Sequence, residues 1–162
     1  MCFGLIASKI LPYAKMFVQP KHTNIKENNS FMRKYNINTY MNQIIEQLLY
    51  LQLESKILHW QTTSYAQHMA YGGFYDALDD LIDRLVEAYQ GKYATRLQFD
   101  KALQLKNIDA IDIENALDKA CMMLAEDFTK SLDSTRANSE LENIRDEIKA
   151  EIDKLRYLLT LQ

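Results

Sequence analysis

Four side chains in one short stretch of the chain could together bind a metal ion. His59 and His68 are two of the three histidines in the sequence, and Asp83 and Glu87 follow them closely. Imidazole nitrogen suits divalent first-row metals, whereas carboxylate oxygen favours harder ions such as Fe³⁺. Two histidines and two carboxylates are therefore reasonable ligands for a site that binds Fe²⁺ and retains Fe³⁺.

The two carboxylates lie on a predicted helix that turns them away from its own core. Asp83 and Glu87 are four residues apart, which places both on one helix face. The apolar residues Leu78 and Leu85 lie on the opposite face. Within one chain, the carboxylates would miss the histidines unless the metal ion were bound on an outer surface. Across a two-fold interface, the histidines of one chain could meet the carboxylates of the other.

The composition favours long helices over sheets. The chain has 162 residues, four glycines and two prolines, and no proline follows Pro20. A β or α/β fold would need turn residues more often. The hydrophobic fraction of 48% and the charged fraction of 25% are typical of a globular domain. No uncharged apolar run approaches the length of about 20 residues that a membrane-spanning helix needs, so we expect no membrane partner.

Hydrophobic periodicity predicts four helices. The first runs from Asn38 or Thr39 to about Gln61, the second starts after Ser64 and ends near Gly91, and the third runs from about Asp112 to Leu132. The fourth opens at Ser139, where Ser139 and Glu142 would form a capping box. Residues 92–110 are less periodic and form a longer connection. This layout is typical of an all-α, ferritin-like four-helix bundle with a crossover between the second and third helices. Gly72 and Gly73 interrupt the second helix, which indicates a bend or a close approach of another helix.

The first predicted helix carries two apolar stripes. One consists of Ile44, Leu48, Leu51, Ser55 and Leu58, and the nearly opposite one of Ile45, Leu49, Leu53, Ile57 and Trp60. A helix that packs only within its own bundle needs one stripe. The second stripe therefore indicates a subunit interface.

The first 34 residues differ in charge from the rest of the chain. They carry six basic residues and one acidic residue, whereas acidic residues predominate afterwards. We predict an irregular basic leader over residues 1–34 and the bundle over residues 35–162. The leader could bind DNA non-specifically, or it could be a disordered tail without a partner. Lys9 interrupts the apolar stretch that a secretory signal needs, which argues against such a signal. A transit peptide and an extension before a start at Met32 both stay open.

The two cysteines indicate a reducing compartment. Cys2 lies in the leader and Cys121 in the third predicted helix, so no disulfide framework is implied. We therefore expect a cytoplasmic protein.

The residues around the histidines resemble the ferroxidase signature of the Dps family, the mini-ferritins known as DNA-binding proteins from starved cells. The matching residues are His59-Trp60, His68, Tyr75-Asp76-x-Leu78 and Asp83-x-x-x-Glu87. The resemblance implies that His59 and His68 bind iron from one subunit, with Trp60 packed near the metal. Asp83 and Glu87 would come from its two-fold mate.

The same resemblance implies a hollow, usually dodecameric cage that oxidises Fe²⁺ with peroxide or oxygen and stores the ferric product. It covers Tyr50 to Tyr89 by motif and the rest of the bundle by helix layout only. The stretch between His59 and His68 is a few residues shorter than usual in that family, so the loop must be tighter or His68 displaced. Ala88 replaces the basic residue that commonly follows the last carboxylate.

The sequence also bears on two alternatives to a ferroxidase. No glutamate is followed three residues later by a histidine, which excludes a di-iron centre inside a single bundle. A non-catalytic helical bundle with a structural or assembly role stays open, because fold does not dictate function and acidic stripes are commonly just solvated faces.

Overall fold

A computed structural model gives the fold of residues 25–99 and 101–161, with side chains described from residue 37 onward. Four helices account for most of these residues. They are Ile25–Gln61, Tyr65–Tyr93, a third helix of three consecutive segments (Ile113–Met122, the wider π-helical turn Met123–Asp127, and Phe128–Lys130), and Ser139–Leu159. The described ranges contain no strand, which confirms the all-α class. None of their helices combines the length and apolarity needed to cross a membrane.

The predicted core stripes pack against one another in a helical bundle. The second helix contacts both the first and the fourth, and the third helix lies mainly on the first. The second helix buries Leu78 and Leu85, as predicted, together with the rest of the same face, namely Phe74, Leu81, Ile82 and Tyr89. Alternation of three- and four-residue spacings produced this continuous apolar face, which is why the pattern predicted it correctly.

The second stripe of the first helix is only partly covered within the chain. Ile45 and Ile57 are buried within the chain itself, so these two positions need no partner. Leu49 and Leu53 are half-buried, and Trp60 is 66% exposed. An apolar surface therefore remains accessible along the middle and the end of this stripe.

Contacts at the helix ends define the direction of the fourth helix. Lys92, at the end of the second helix, forms an ion pair with Glu140 at the start of the fourth. Arg156, near the end of the fourth helix, forms an ion pair with Asp118 near the start of the third. The fourth helix is therefore antiparallel to both the second and the third.

The connection between the second and third helices follows the first helix. Four pairs of residues are joined by hydrogen bonds in the same order along both segments: Thr95 with Asn38 (2.8 Å), Gln98 with Asn42 (2.7 Å), Lys106 with Glu54 (3.0 Å) and Ile108 with Gln61 (2.7 Å). A short 3-10 turn, Ile108–Ala110, precedes the third helix. The connection thus runs parallel to the first helix over most of that helix's described length.

The first helix begins earlier than predicted. It starts at Ile25 rather than at Asn38 or Thr39, so residues 25–34 of the predicted leader are helical. Its first turns are polar and lack the apolar period on which the prediction relied. Residues 1–24, including Cys2, lie outside the described residues, and the division into leader and bundle stays a prediction.

The predicted capping box at the fourth helix was wrong. Asn138 is the N-cap residue, and its carbonyl oxygen accepts from the amides of Leu141 and Glu142, both at 3.0 Å. The Asn138 side chain donates to the carbonyl oxygens of Asp133 and Arg136 instead of capping the helix. Ser139 is therefore the first helical residue and not the cap. The Asn138 amide holds the preceding loop through its two bonds to backbone carbonyl oxygens.

Candidate metal site

A loop of three residues joins the first two helices and is closed by local hydrogen bonds. Ser64 is the N-cap of the second helix, and its hydroxyl oxygen accepts from the amide of Gln67 at 3.3 Å. The Thr62 hydroxyl donates to Gln67 Oε1 at 2.6 Å. Because the loop is this short, the last turn of the first helix and the first turn of the second lie side by side. The loop between the two histidines is therefore tight.

His59 and His68 form a stacked pair across this loop. Their ring centroids are 3.8 Å apart and their planes differ by 22°. His59 Nδ1 lies 2.7 Å from the carbonyl oxygen of His68, and His68 Nδ1 lies 2.9 Å from the carbonyl oxygen of His59. The pair is therefore held by two reciprocal bonds to the backbone.

These two bonds decide which ring nitrogen could bind a metal ion. A carbonyl oxygen only accepts, so each Nδ1 must carry the hydrogen, and in a neutral imidazole Nε2 is then the lone-pair nitrogen. Histidines that bind metals commonly donate their other ring nitrogen to a carbonyl oxygen in this way. Both rings are half-buried and both leave Nε2 without a hydrogen-bond partner among the described residues.

Gly72 allows the second helix to approach the His59 ring. A Cβ atom at Gly72 would lie 3.0 Å from His59 Nδ1 and 3.1 Å from Cε1, closer than ordinary contact. A Cβ atom at Gly73 would meet nothing within 4 Å. The close approach predicted for the glycine pair is thus confirmed at Gly72 only. Tyr75 also packs edge-on against His59, with the two ring centroids 5.3 Å apart.

Trp60 lies on the outer surface beside the histidine pair. Its ring is mostly exposed, and the Lys56 ammonium nitrogen lies 5.8 Å from its centroid. The same nitrogen lies 5.1 Å from the centroid of Tyr75. Lys56 therefore places a positive charge close to the rings that border the two imidazoles.

Asp83 and Glu87 are exposed on the second helix, as predicted. Neither forms a hydrogen bond or an ion pair with another described residue. His68 and Asp83 are fifteen positions apart on the same helix, which corresponds to about 22 Å along its axis. Accordingly, no three His, Cys, Asp or Glu side chains in the described ranges come together in a way that could hold a metal ion.

The histidines and carboxylates nevertheless belong to one outer surface. Gln52 Nε2 donates to Asp79 Oδ1 at 2.6 Å, which joins the outward faces of the first two helices between the two groups. The accessible part of the second apolar stripe, Leu49 and Leu53, lies on the same side of the first helix as Trp60. The structure thus brings together His59 and His68, but places Asp83 and Glu87 further along this surface.

The sequence pattern could not reveal how the two rings are oriented. Both acceptors are backbone carbonyl oxygens, and their position depends on the loop and not on residue type. Gly72 was noted as a glycine within a helix, but only the packed structure shows that it faces His59.

These features define an all-α protein with an outward-facing histidine pair at the tip of a helical hairpin. The chain belongs to a family of unknown function, DUF5856, whose model matches residues 59–159 and thus includes all four candidate ligands. No curated protein and no solved structure matches the chain.

Proposed function

We propose that this protein is a Dps-like ferroxidase and iron-storage protein that protects against oxidative damage. One observation carries the proposal: the reciprocal Nδ1 bonds of the stacked His59 and His68 rings leave the Nε2 atom of each ring available to a metal ion. Iron is the substrate in this account. Two Fe²⁺ ions each give up one electron, and hydrogen peroxide accepts both electrons with two protons to form two molecules of water. Carboxylates at the same site would retain the Fe³⁺ that forms.

The complete site would be shared between two subunits. A two-fold axis near Tyr75 and Asp76, midway between His68 and Asp83, would set the second helices of two chains antiparallel. The histidines of one chain would then meet Asp83 and Glu87 of the other. Each such dimer would contain two sites, separated by about 22 Å because that is the axial distance between the two groups on one helix.

The surface around this axis has the properties expected of an interface. Leu49, Leu53 and Trp60 provide apolar area that the chain itself leaves accessible. Buried interface centres are enriched in aromatic residues, which fits the position of Trp60. Asp83 and Glu87 form no ion pair with a described residue, which leaves both carboxylates available to a second chain.

The finer features of the fold are part of the same proposal. The connection that follows the first helix, and the antiparallel fourth helix, support a ferritin-like bundle with a crossover between the second and third helices. A dodecameric cage, a cytoplasmic location and non-specific DNA binding through the basic leader complete it. The free thiol of Cys121 fits a reducing compartment.

One observation favours the alternative, a non-catalytic bundle with a structural or assembly role. The two Nδ1 bonds close the hairpin tip by themselves, so the histidines would have a structural purpose even without iron. The two proposals differ in what Nε2 does, and that difference can be measured.

Subunit complementation tests the shared site directly. One variant would carry His59→Gln and His68→Gln, and the other Asp83→Asn and Glu87→Gln. Each should be inactive alone in peroxide-dependent Fe²⁺ oxidation. In a mixed dimer, one site has lost all four ligands and the other retains all four. Co-expressed variants should therefore regain roughly a quarter of the wild-type rate, since random pairing makes half of the dimers mixed.

The outcomes separate the hypotheses. No recovery in co-expressed dimers, with dimers confirmed by native mass spectrometry, would show that the ligands do not combine across subunits. A wild-type protein that neither binds nor oxidises Fe²⁺ would contradict the ferroxidase proposal and support the structural role. Circular dichroism of each variant controls for loss of the helical hairpin.

A further inference from the structure

We infer that the groove between the first and third helices is a binding site for a small amphipathic carboxylate, separate from the proposed iron site. Two adjoining cavities of about 400 and 200 Å³ lie there. Gln47, Tyr50 and Lys119 line both, so the two cavities form one groove. The connection between the second and third helices covers it through Leu103 on one side and Lys106 on the other.

An irregularity in the third helix lies at this groove. The π-helical turn Met123–Asp127 begins at Met123, which lines the larger cavity opposite Leu103. Turns of this kind interrupt α-helices rarely and are found often at functional sites. The methionine and leucine side chains provide apolar walls, and methionine adapts well to ligands of different shape.

The groove contains an amide with unused hydrogen-bonding capacity. Gln47 is only 8% exposed as a whole residue, and its side chain forms no hydrogen bond with a described residue. Its amide atoms are not fully enclosed, so they face the open space of the groove. Gln47 lines both cavities, and a polar group of a ligand in the groove would bond to this amide.

The charges in the groove favour an anion. Glu46 forms an ion pair with Lys101 at 2.5 Å, and Glu54 forms one with Lys106 at 3.0 Å, so these two carboxylates are compensated. Lys119 forms no ion pair with a described residue, so the larger cavity, lined by Lys101 and Lys119 against Glu46 alone, carries one net positive charge.

The remaining carboxylate of the lining, Asp112, is already engaged. It caps the third helix, where its Oδ1 accepts from the amide of Asn115 at 3.1 Å, and a helix N-terminus stabilises such a negative charge. The ligand carboxylate would therefore lie between the Lys119 ammonium and the Gln47 amide. Its apolar part would extend between Leu103 and Met123. The larger cavity is of the size that small-molecule sites commonly have, about 300 to 1,000 Å³.

Titration of the full-length chain with octanoate, followed by two-dimensional ¹H–¹⁵N NMR, tests this site. Octanol has the same chain length without the charge and serves as the matched ligand. We expect octanoate to shift the amides around Gln47, Leu103, Lys119 and Met123. Lys119→Met should weaken octanoate binding by at least about tenfold and octanol binding by less than about twofold, because only the carboxylate pairs with the ammonium group.

Two further variants keep the test specific. Lys154→Met removes a lysine from the fourth helix, outside the groove, and should change neither affinity. Gln47→Leu retains the side-chain volume without the amide, and should weaken octanoate more than octanol. The inference fails if millimolar octanoate shifts no amide of the groove, or if its shifts cluster at Trp60 and Met69. It also fails if Lys119→Met leaves the octanoate affinity unchanged or weakens both ligands equally.

Discussion

The two ends of the helical hairpin satisfy their polar groups in opposite ways. At the end of the second helix, the Tyr89 hydroxyl lies 3.1 Å from Asn38 Oδ1 and 3.3 Å from the carbonyl oxygen of Ser131. The Tyr93 hydroxyl there donates to Asn138 at 2.7 Å. At the loop end, His59 and His68 each use one ring nitrogen and leave the other without a described partner.

This difference indicates that one end of the hairpin contributes mainly to stability and the other can bind a ligand. Groups that satisfy one another within the chain hold its elements together but have little capacity left for a ligand. The histidine pair is held just as firmly through Nδ1, yet it retains a lone pair on each ring. We therefore expect substitutions at Tyr89 to affect unfolding and substitutions at His59 to affect chemistry, and each prediction below tests one part of that contrast.

The largest effect should follow from His59→Ala. Removing even an outer hydrogen-bond partner of a metal ligand costs about 10- to 100-fold, so removing a ligand should slow Fe²⁺ oxidation by about a hundredfold or more. The rate is measured as formation of ferric product after addition of peroxide. Tyr89→Phe serves as the control and should retain the wild-type rate. Equal rates for His59→Ala and the wild type would contradict the ferroxidase proposal.

The next-largest effect is expected on stability, at the end of the second helix where Tyr89 lies. Tyr89→Phe removes a fully buried hydroxyl and leaves Asn38 Oδ1 without that partner. The loss should lower the free energy of unfolding by about 1–3 kcal/mol, as measured by urea denaturation. Tyr157→Phe, at a largely exposed position, should change it by less than about 0.5 kcal/mol. Similar values for the two variants would show that the Tyr89 hydroxyl contributes little.

The tyrosines at this end of the hairpin should make the folded state less stable at alkaline pH. Burial raises the pKa of Tyr89 above its ordinary value of 10.0, and it also raises the pKa of Tyr93. The folded state therefore keeps these protons after the unfolded chain has released them. The resulting stability is intact below pH 10 and is lost as the pH rises from 10 towards the folded-state pKa values.

Urea denaturation between pH 9 and pH 11 measures that loss. Above pH 10 each such tyrosine should lower the free energy of unfolding by up to about 1.4 kcal/mol per pH unit. Tyr89→Phe should therefore show a shallower decline than the wild type. Parallel declines would mean that Tyr89 ionises as readily in the folded protein as in the unfolded chain.

Much of the fold could be predicted because apolar spacing is a local property. The stripe that includes Ile44, Leu48 and Leu51 is buried as its period indicated. The start of the first helix was missed because its opening turns are polar, and helical structure there depends on propensity and not on an apolar face. The capping-box pattern predicts Ser139 as the cap, whereas Asn138 is the N-cap, because the sequence does not show which loop residue anchors the preceding turn.

The candidate site was less accessible to prediction, for two physical reasons. The spacing of His59 and His68 indicated that they could meet, but the carbonyl bonds that orient them belong to backbone geometry. The contribution of Asp83 and Glu87 depends on a second copy of the chain, so it stays a prediction.

Substitutions at the two adjacent glycines test how firmly the His59 ring is held at the loop end. Gly73→Ala, where a Cβ atom has open space, should raise the free energy of unfolding by about 0.5–1 kcal/mol because alanine favours the helix. Gly72→Ala gains the same propensity but pushes against a ring that is held by its carbonyl bond and by the stacked His68. We expect it to be less stable than Gly73→Ala by about 1 kcal/mol and to oxidise iron more slowly. Equal stability of the two variants would mean that the His59 ring can shift freely.

The smallest effect should come from the charge beside the histidines. Lys56 is one turn before His59 on the first helix, where neighbouring side chains interact, so its ammonium group opposes a cation bound at Nε2. Lys56→Met should tighten Fe²⁺ binding about two- to threefold, because a half-buried charge several ångströms away is still partly screened by water. The gain should diminish in about 1 M salt, where the screening length is only about 3 Å. Lys154→Met, on the fourth helix, controls for the change in net charge. A Lys56→Met affinity equal to that of this control would place the bound ion away from the histidine pair, since a cation held there must experience the lysine one turn away.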